Sequence, residues 1–222
     1  MLTIRRVWPR IEPKLLADFG SFSASQLSDA CSGNGAIGKP IQRLHGKGVV
    51  FGSALTVSTS GHADNLAPYA ALKLLQPGDV VIIASNGCAD SALIGDNLVG
   101  MMRNAGAVAV ITDGLIRDAS GLEAIGLPVH AAGYSPKAPA KKGPGTVGLS
   151  IQIGQTTIEP GDLVVADQDG VVVVPASALT AALDALRQIE TKDREKQAFI
   201  HSGGKSPNDL DKLLAQVGVD WQ

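Results

Sequence analysis

The 222-residue sequence predicts a mixed α/β fold built as one main domain, and three observations carry that prediction. A Pro-Gly-Asp turn feeding an apolar run occurs twice, at Pro77-Gly78-Asp79 before Val80-Val81-Ile82-Ile83 and at Pro160-Gly161-Asp162 before Leu163-Val164-Val165. Between the two, helical and strand-like segments alternate, the pattern of helices packed on a sheet. In the later stretch, from Val147 to Val174, short β-branched runs dominate, and these fit a pleated, buried surface.

Taken in order, Pro13 to Ser32 reads as helical, with Ser23 and Gln26 spaced as a capping box and Gly33-Asn34-Gly35 as the stop. Val49 to Val57 reads as a strand and Asn65 to Leu75 as a helix. The first Pro-Gly-Asp then turns the chain, because Pro presets φ at the second turn position and Gly accepts positive φ at the third. A helix from Asn97 to Asn104, a strand from Ala107 to Ile111 and a short helix before Pro128 follow. Lys137 to Gly145, rich in Pro, Gly and Lys, is expected to be an exposed loop. Val147 to Ile153, Leu163 to Ala166 and Val171 to Val174 read as strands, the last two joined by the hairpin turn Asp167-Gln168-Asp169-Gly170. Ser177 to Phe199 reads as a long helix, and the tail restarts at Ser206-Pro207 with Ser as N-cap and Pro at the first helical position. This places a single domain at residues 1–200 and a C-terminal extension at 201–222.

Composition narrows the function. A formal net charge of -2 supplies no global field for nucleic acid or an anionic membrane, so neither is an expected partner and an anionic ligand must be captured locally. The basic start, Met1 to Arg10, is not followed by an apolar stretch of signal-peptide length, and no run approaches a membrane span; a cytoplasmic location is expected. Cys31 and Cys88 lack CxxC spacing, and His45, His62, His130 and His201 show no HxH or HxxxH spacing, which disfavours zinc and histidine-metal sites. Asp167 and Asp169 do not continue into a calcium loop, since Val occupies the remaining ligand positions. Gly33-Asn34-Gly35 lacks the third glycine and the preceding strand of a dinucleotide loop.

The chemistry-bearing segment runs from Gly95-Asp96-Asn97-Leu98 to Arg117-Asp118. A helix followed by a strand brings the helix N-terminus and the strand C-terminus to one edge of a sheet, so Asp96 and the Arg117-Asp118 pair are expected to converge. Unpaired amides at the helix start suit a carboxylate ligand. Arg117 adds a fixed cation, and Asp118 offers the hard oxygen that Mg²⁺ or Mn²⁺ prefers. Taken alone, each has a plainer reading: Asp96 as a helix cap, Arg117-Asp118 as a solvated ion pair.

The Asp-x20-Arg-Asp spacing, set in GDNL and DGLIRD, resembles the 4-hydroxy-4-methyl-2-oxoglutarate / 4-carboxy-4-hydroxy-2-oxoadipate aldolases, a branch of the family named for regulator of ribonuclease activity A. The resemblance spans roughly residues 22 to 180 and includes HADNLA at 62–67, PGDVVII at 77–83, GYSPKAPAKKGPGTV at 133–147 and PGDLVVADQDGVVVVP at 160–175. It implies a swivelling-domain-type β/β/α sandwich with flanking helices, assembled as a homotrimer or homohexamer with sites between subunits. It also implies a divalent metal held by the residue matching Asp118, substrate and enolate held by that matching Arg117, and a water of the metal held by that matching Asp96. The amides of Gly95, Asp96, Asn97 and Leu98 would take the carboxylate of a 2-oxo acid. Aldolase members add a carboxylate from a neighbour's C-terminal helix; Glu190 and Glu195 are the candidates here, and Glu195 is preferred. His62, Asn65, Lys141 and Lys142 are further candidates for the pocket. The expected activity is metal-dependent cleavage of a 4-hydroxy-2-oxo acid to pyruvate with oxaloacetate decarboxylation alongside; the alternative is a non-catalytic, ribonuclease-inhibiting binding protein. A methyltransferase is disfavoured, because no strand–GxG–helix cofactor loop is present.

Overall fold

Both turn-fed strands lie deep inside the protein, in a computed structural model that describes residues 1–38, 41–207 and 209–220. The chain forms two compact units, Met1–Leu186 and Arg187–Gln222. The first begins with β1 (Leu2–Ile4), α1 (Pro13–Ala17), α2 (Ala24–Ala30), β2 (Ala36–Ile37), β3 (Gln42–His45) and β4 (Val50–Thr59). Next come α3 (Leu66–Ala71), β5 (Asp79–Ala84), β6 (Ala92–Ile94), α4 (Asp96–Asn104), β7 (Ala109–Thr112), β8 (Leu115–Ile116) and α5 (Ala119–Ile125). Then follow β9 (Val129–Ala131), β10 (Gly133–Tyr134), β11 (Gly145–Val147), β12 (Ile151–Ile153), β13 (Thr156–Ile158), β14 (Leu163–Ala166) and β15 (Val171–Val174). The long helix α6 (Leu179–His201) starts in the first unit and continues into the second, which also holds α7 (Leu210–Val217).

The main sheet runs β2-β15-β14-β4-β5-β7-β9-β3, with β11 also on β4 and β1 on β11. Its centre, β4-β5-β7-β9, is parallel. Successive side chains of a strand point to opposite faces. Val81 and Ile83 of β5 therefore join a core with Leu98, Val99, Met102 and Leu122 from α4 and α5. Val80 and Ile82 join Ile151, Ile153 and Ile158 of the β12–β13 hairpin. Burial on both faces is why this strand reads as an unbroken apolar run. A third core packs β14 and β15 on Phe19, Phe22, Leu27 and the first turns of α6. The result is an α/β sandwich: helices, sheet, then hairpin. A small parallel sheet, β10-β8-β6, lies apart from the main one.

Several boundaries depart from the sequence reading. The helix over 13–32 is two helices, because the chain turns between them to bury Phe19 and Phe22; the Ser23–Gln26 capping box does form, at the start of α2. The helix over 65–75 is α-helical only to Ala71 and then tightens into turns, with the Lys73 and Leu74 N–H groups donating to carbonyls three residues back. The strand over 147–153 is broken at Gly148, which sits at φ 72° with its α-carbon against the Trp8 ring, where a Cβ would lie 2.6 Å from Cζ3. That break lets the chain leave β4 and enter the hairpin. The tail helix begins at Leu210 with Asp209 as N-cap, not at Ser206-Pro207; Asn208 lies outside the described residues.

Candidate active site

The small sheet is what brings the Asp96 and Arg117 segments together. β6 and β8 are parallel with Ile94 opposite Ile116, so Gly95 and Arg117 emerge side by side. The Arg117 N–H donates to the Ile94 carbonyl at 3.1 Å. Both turns approach so closely that Cβ atoms have no room: one built on Gly95 meets the Asp118 carboxylate and comes 3.0 Å from Arg117 Cγ, and one built on Gly121 comes 2.8 Å from the Asp96 carboxyl carbon. Glycines at these two positions let α4 and α5 present their N-terminal carboxylates to one space.

Asp96 opens α4, and the Asn97 N–H donates to its Oδ1 at 2.6 Å. The N-cap, Gly95, has no side chain to cap this helix, so of its first-turn amides that of Asn97 is taken by Asp96 while those of Asp96 and Leu98 have no intrahelical acceptor. Asp118 is the N-cap of α5 and sits at φ 64°, ψ 49°, a left-handed conformation that costs a non-glycine residue roughly 1 kcal/mol or more. Its Oδ2 lies 3.2 Å from Arg117 Nε, with both side chains more than a third exposed. An ion pair that open contributes under about 1 kcal/mol. That ion pair does not by itself account for the left-handed backbone, and backbone of this kind clusters at functional sites.

Together these residues line a cavity of about 400 Å³ with Asn65, Tyr69, Ile94, Leu98, Met101, Pro139 and Lys141. The far wall is built by two loops sewn to each other: the Asn65 N–H donates to the Ala140 carbonyl, the Ala140 N–H to the Ala63 carbonyl, and the Lys142 and Gly143 amides to the Asp64 carboxylate. Lys141 lies over the Tyr69 ring, its Nζ 4.0 Å from the centroid. The side-chain oxygen of Asn65 is buried without a partner, an acceptor available to a bound cation or donor. A larger cavity, about 550 Å³, opens beside Ser85, Cys88 and Asp113, but among the described residues that line it Asp113 is the one carboxylate and there is no cation.

Of the residues singled out in the sequence, Gly95, Asp96, Asn97, Leu98, Arg117 and Asp118 thus share one cavity, joined by Asn65 and Lys141. His62 and Lys142 are exposed and outside its lining. Glu190 and Glu195 are exposed residues of α6 within the second unit, and Glu190 pairs with Arg194 at 3.4 Å. Tyr69 escaped the sequence reading, although its spacing of four from Asn65 places the two on one helix face. Among the described residues no three His, Cys, Asp or Glu side chains converge as a metal cage. No helix among them is long and apolar enough to cross a membrane.

Fold and site define an α/β sandwich protein with a carboxylate–guanidinium cavity at the edge of a small accessory sheet. The chain belongs to the RraA-like family: the family model described as Aldolase/RraA matches residues 24–173. A protein of Halalkalibacterium halodurans, provisionally named 4-hydroxy-4-methyl-2-oxoglutarate aldolase, is 31% identical over 189 residues, 85% of this chain and 90% of that one. Among solved structures, Streptomyces coelicolor RraAS2, described as an unusual member of the RNase ES inhibitor RraA family, superposes with a TM-score of 0.77 at 27% identity, covering 86% of this chain and 99% of that one. The RNA-processing inhibitor RraA from Thermus thermophilis superposes with a TM-score of 0.64 at 25% identity, covering 69% and 93%.

Proposed function

We propose that the protein is a divalent-metal-dependent aldolase that releases pyruvate from a 4-hydroxy-2-oxo acid such as 4-hydroxy-4-methyl-2-oxoglutarate or 4-carboxy-4-hydroxy-2-oxoadipate, and that decarboxylates oxaloacetate as a side reaction. The observation that carries this reading is the convergence of Asp96, Arg117 and Asp118 on one cavity beside uncapped helix amides. The aldolase name of the H. halodurans relative supports it.

The donor set fits Mg²⁺ or Mn²⁺. Such ions take one or two carboxylates and keep several waters, so a three-residue cage is not required. Asp118 and Asp96 supply hard oxygens in an open cavity that Asn65 also lines. Two carboxylates and two cations, Arg117 and Lys141, leave the lining formally neutral, so a divalent cation makes it positive enough to receive an anionic 2-oxo acid. When bound, the metal supplies Lewis acidity at the 2-oxo group.

The protein's own groups would do the rest. The α4 amides bind the substrate carboxylate. Arg117 stabilises negative charge as it grows on the 2-oxo oxygen, which is where fixed donors contribute most. A base takes the C4 hydroxyl proton, the C3–C4 bond breaks, its electron pair moves toward the 2-oxo oxygen, and the pyruvate enolate is protonated at C3 from water. Oxaloacetate reaches the same enolate by losing carbon dioxide. No lysine Schiff base is invoked; Lys141 stays paired with Tyr69 at the rim.

The test is pyruvate release from 4-hydroxy-4-methyl-2-oxoglutarate and from oxaloacetate, with Mg²⁺ or Mn²⁺ and with excess chelator. Turnover should require the cation. Full activity in chelator, or inactivation by borohydride in the presence of substrate, would overturn the metal mechanism. Absence of pyruvate on every substrate, with inhibition of a ribonuclease, would favour the binding-protein reading that the RraA neighbours suggest.

As the base we assign Glu195 of a neighbouring subunit in a trimer or hexamer. Glu195→Ala and Asp118→Ala should then each be inactive, and unfolding and reassembling them together should restore part of the activity, because intact Asp118 meets intact Glu195 only across an interface. Mixed oligomers no more active than either parent would remove Glu195 from that role and leave Glu190 or water.

A further inference from the structure

A second cluster of reactive groups lies outside that cavity and draws one residue from α5. His45 ends β3, after a bulge between Arg43 and His45, and its ring is buried, with 6% exposure. Both ring nitrogens are engaged: Nδ1 lies 3.1 Å from Glu123 Oε2 of α5, and Nε2 lies 2.8 Å from the Tyr134 hydroxyl of β10. The Tyr134 and His45 rings meet edge to face, 5.9 Å between centroids.

The proton positions follow from the surroundings. Burial, and then the charge of Glu123, push the Tyr134 phenol above its ordinary value. A carboxylate accepts, so Nδ1–H donates to Glu123, and in the neutral imidazole Nε2 is then the acceptor facing the Tyr134 hydroxyl. A hydroxyl on a base that a carboxylate orients is the arrangement of an activated nucleophile. The three residues also have suitable exposure: Tyr134, at 47%, is open to an incoming electrophile, while the base behind it is shielded from water. A purely structural hydrogen-bond chain has no need to leave its hydroxyl end open.

We propose that Tyr134 is a general-base-activated nucleophile and a covalent modification site that accepts an acyl group from a small activated ester. Tyr134 Oη attacks the acyl carbon, and the new O–C bond forms as the bond to the leaving alcohol breaks. The hydroxyl proton passes to His45 Nε2 and leaves on the departing alcohol; no oxidant or cofactor is needed. None of the three residues lines the Asp96–Asp118 cavity, so the proposal stands apart from the aldolase reading.

The test uses p-nitrophenyl acetate on the full chain, following nitrophenol release and locating the acetyl group by peptide mass mapping. The chain has two tyrosines, so Tyr69, which has Lys141 over its ring, is an internal control. Tyr134 should be acetylated on the order of 10²-fold faster than Tyr69, the scale of general-base assistance. His45→Gln should bring it down to the Tyr69 rate, and Glu123→Gln should lower it several-fold. If His45→Gln fails to fold, Glu123→Gln decides alone, because that side chain is 71% exposed and its loss spares the core. Equal rates at the two tyrosines, acetylation confined to lysines or to His45, or folded variants that react like the wild type would each overturn the proposal.

Discussion

Asp118→Asn should reduce metal-dependent pyruvate release on the order of 10³-fold or more, about 4 kcal/mol of transition-state stabilisation, while leaving the fold as stable as before. The substitution removes the charge that would hold the cation and changes little else. Asn occupies left-handed backbone at least as readily as Asp, so the φ of 64° carries no new penalty. The side chain is 39% exposed, and its ion pair with Arg117 adds too little to matter for folding. Turnover and a thermal melt check this together. A near-wild-type rate would remove Asp118 from the site, and a collapse in melting temperature would make it a structural residue instead.

Arg117→Lys should be nearly as damaging although it keeps the charge. The guanidinium is a planar fork whose Nε already faces Asp118 at 3.2 Å, leaving its terminal nitrogens for the substrate. An ammonium is a point charge and cannot reproduce two fixed donors. Because the contact strengthens as charge develops, kcat should fall more than KM rises, with kcat/KM lower by about 10²-fold, near 3 kcal/mol. A variant altered in KM alone would make Arg117 a ground-state binding group.

How much of this was legible in the sequence follows from where each element is buried. β5, β14 and β15 could be read directly, because burial on both faces writes continuous runs such as Val171 to Val174. The convergence of Asp96 with Arg117-Asp118 was legible from element order, but the device that achieves it was not. β6 and β8 are three and two residues long, too short to carry a periodicity. The Asn65–Tyr69–Lys141 wall depends on backbone hydrogen bonds between residues about 75 positions apart, such as Asn65 to Ala140, which no local pattern encodes. The His45–Glu123–Tyr134 chain was invisible for the same reason: three elements contribute one residue each.

In the proposed mechanism Asp96, Arg117 and Asp118 form a site that stabilises a pyruvate enolate with the help of a divalent cation. That claim can be tested without knowing the natural aldol, by following the methyl protons of pyruvate by NMR in D₂O with the protein and Mg²⁺. Those protons should exchange for deuterium, and the exchange should stop on chelation and be lost in Asp118→Asn. Protons that persist in the wild type with metal present, or exchange that continues unchanged in Asp118→Asn, would contradict it.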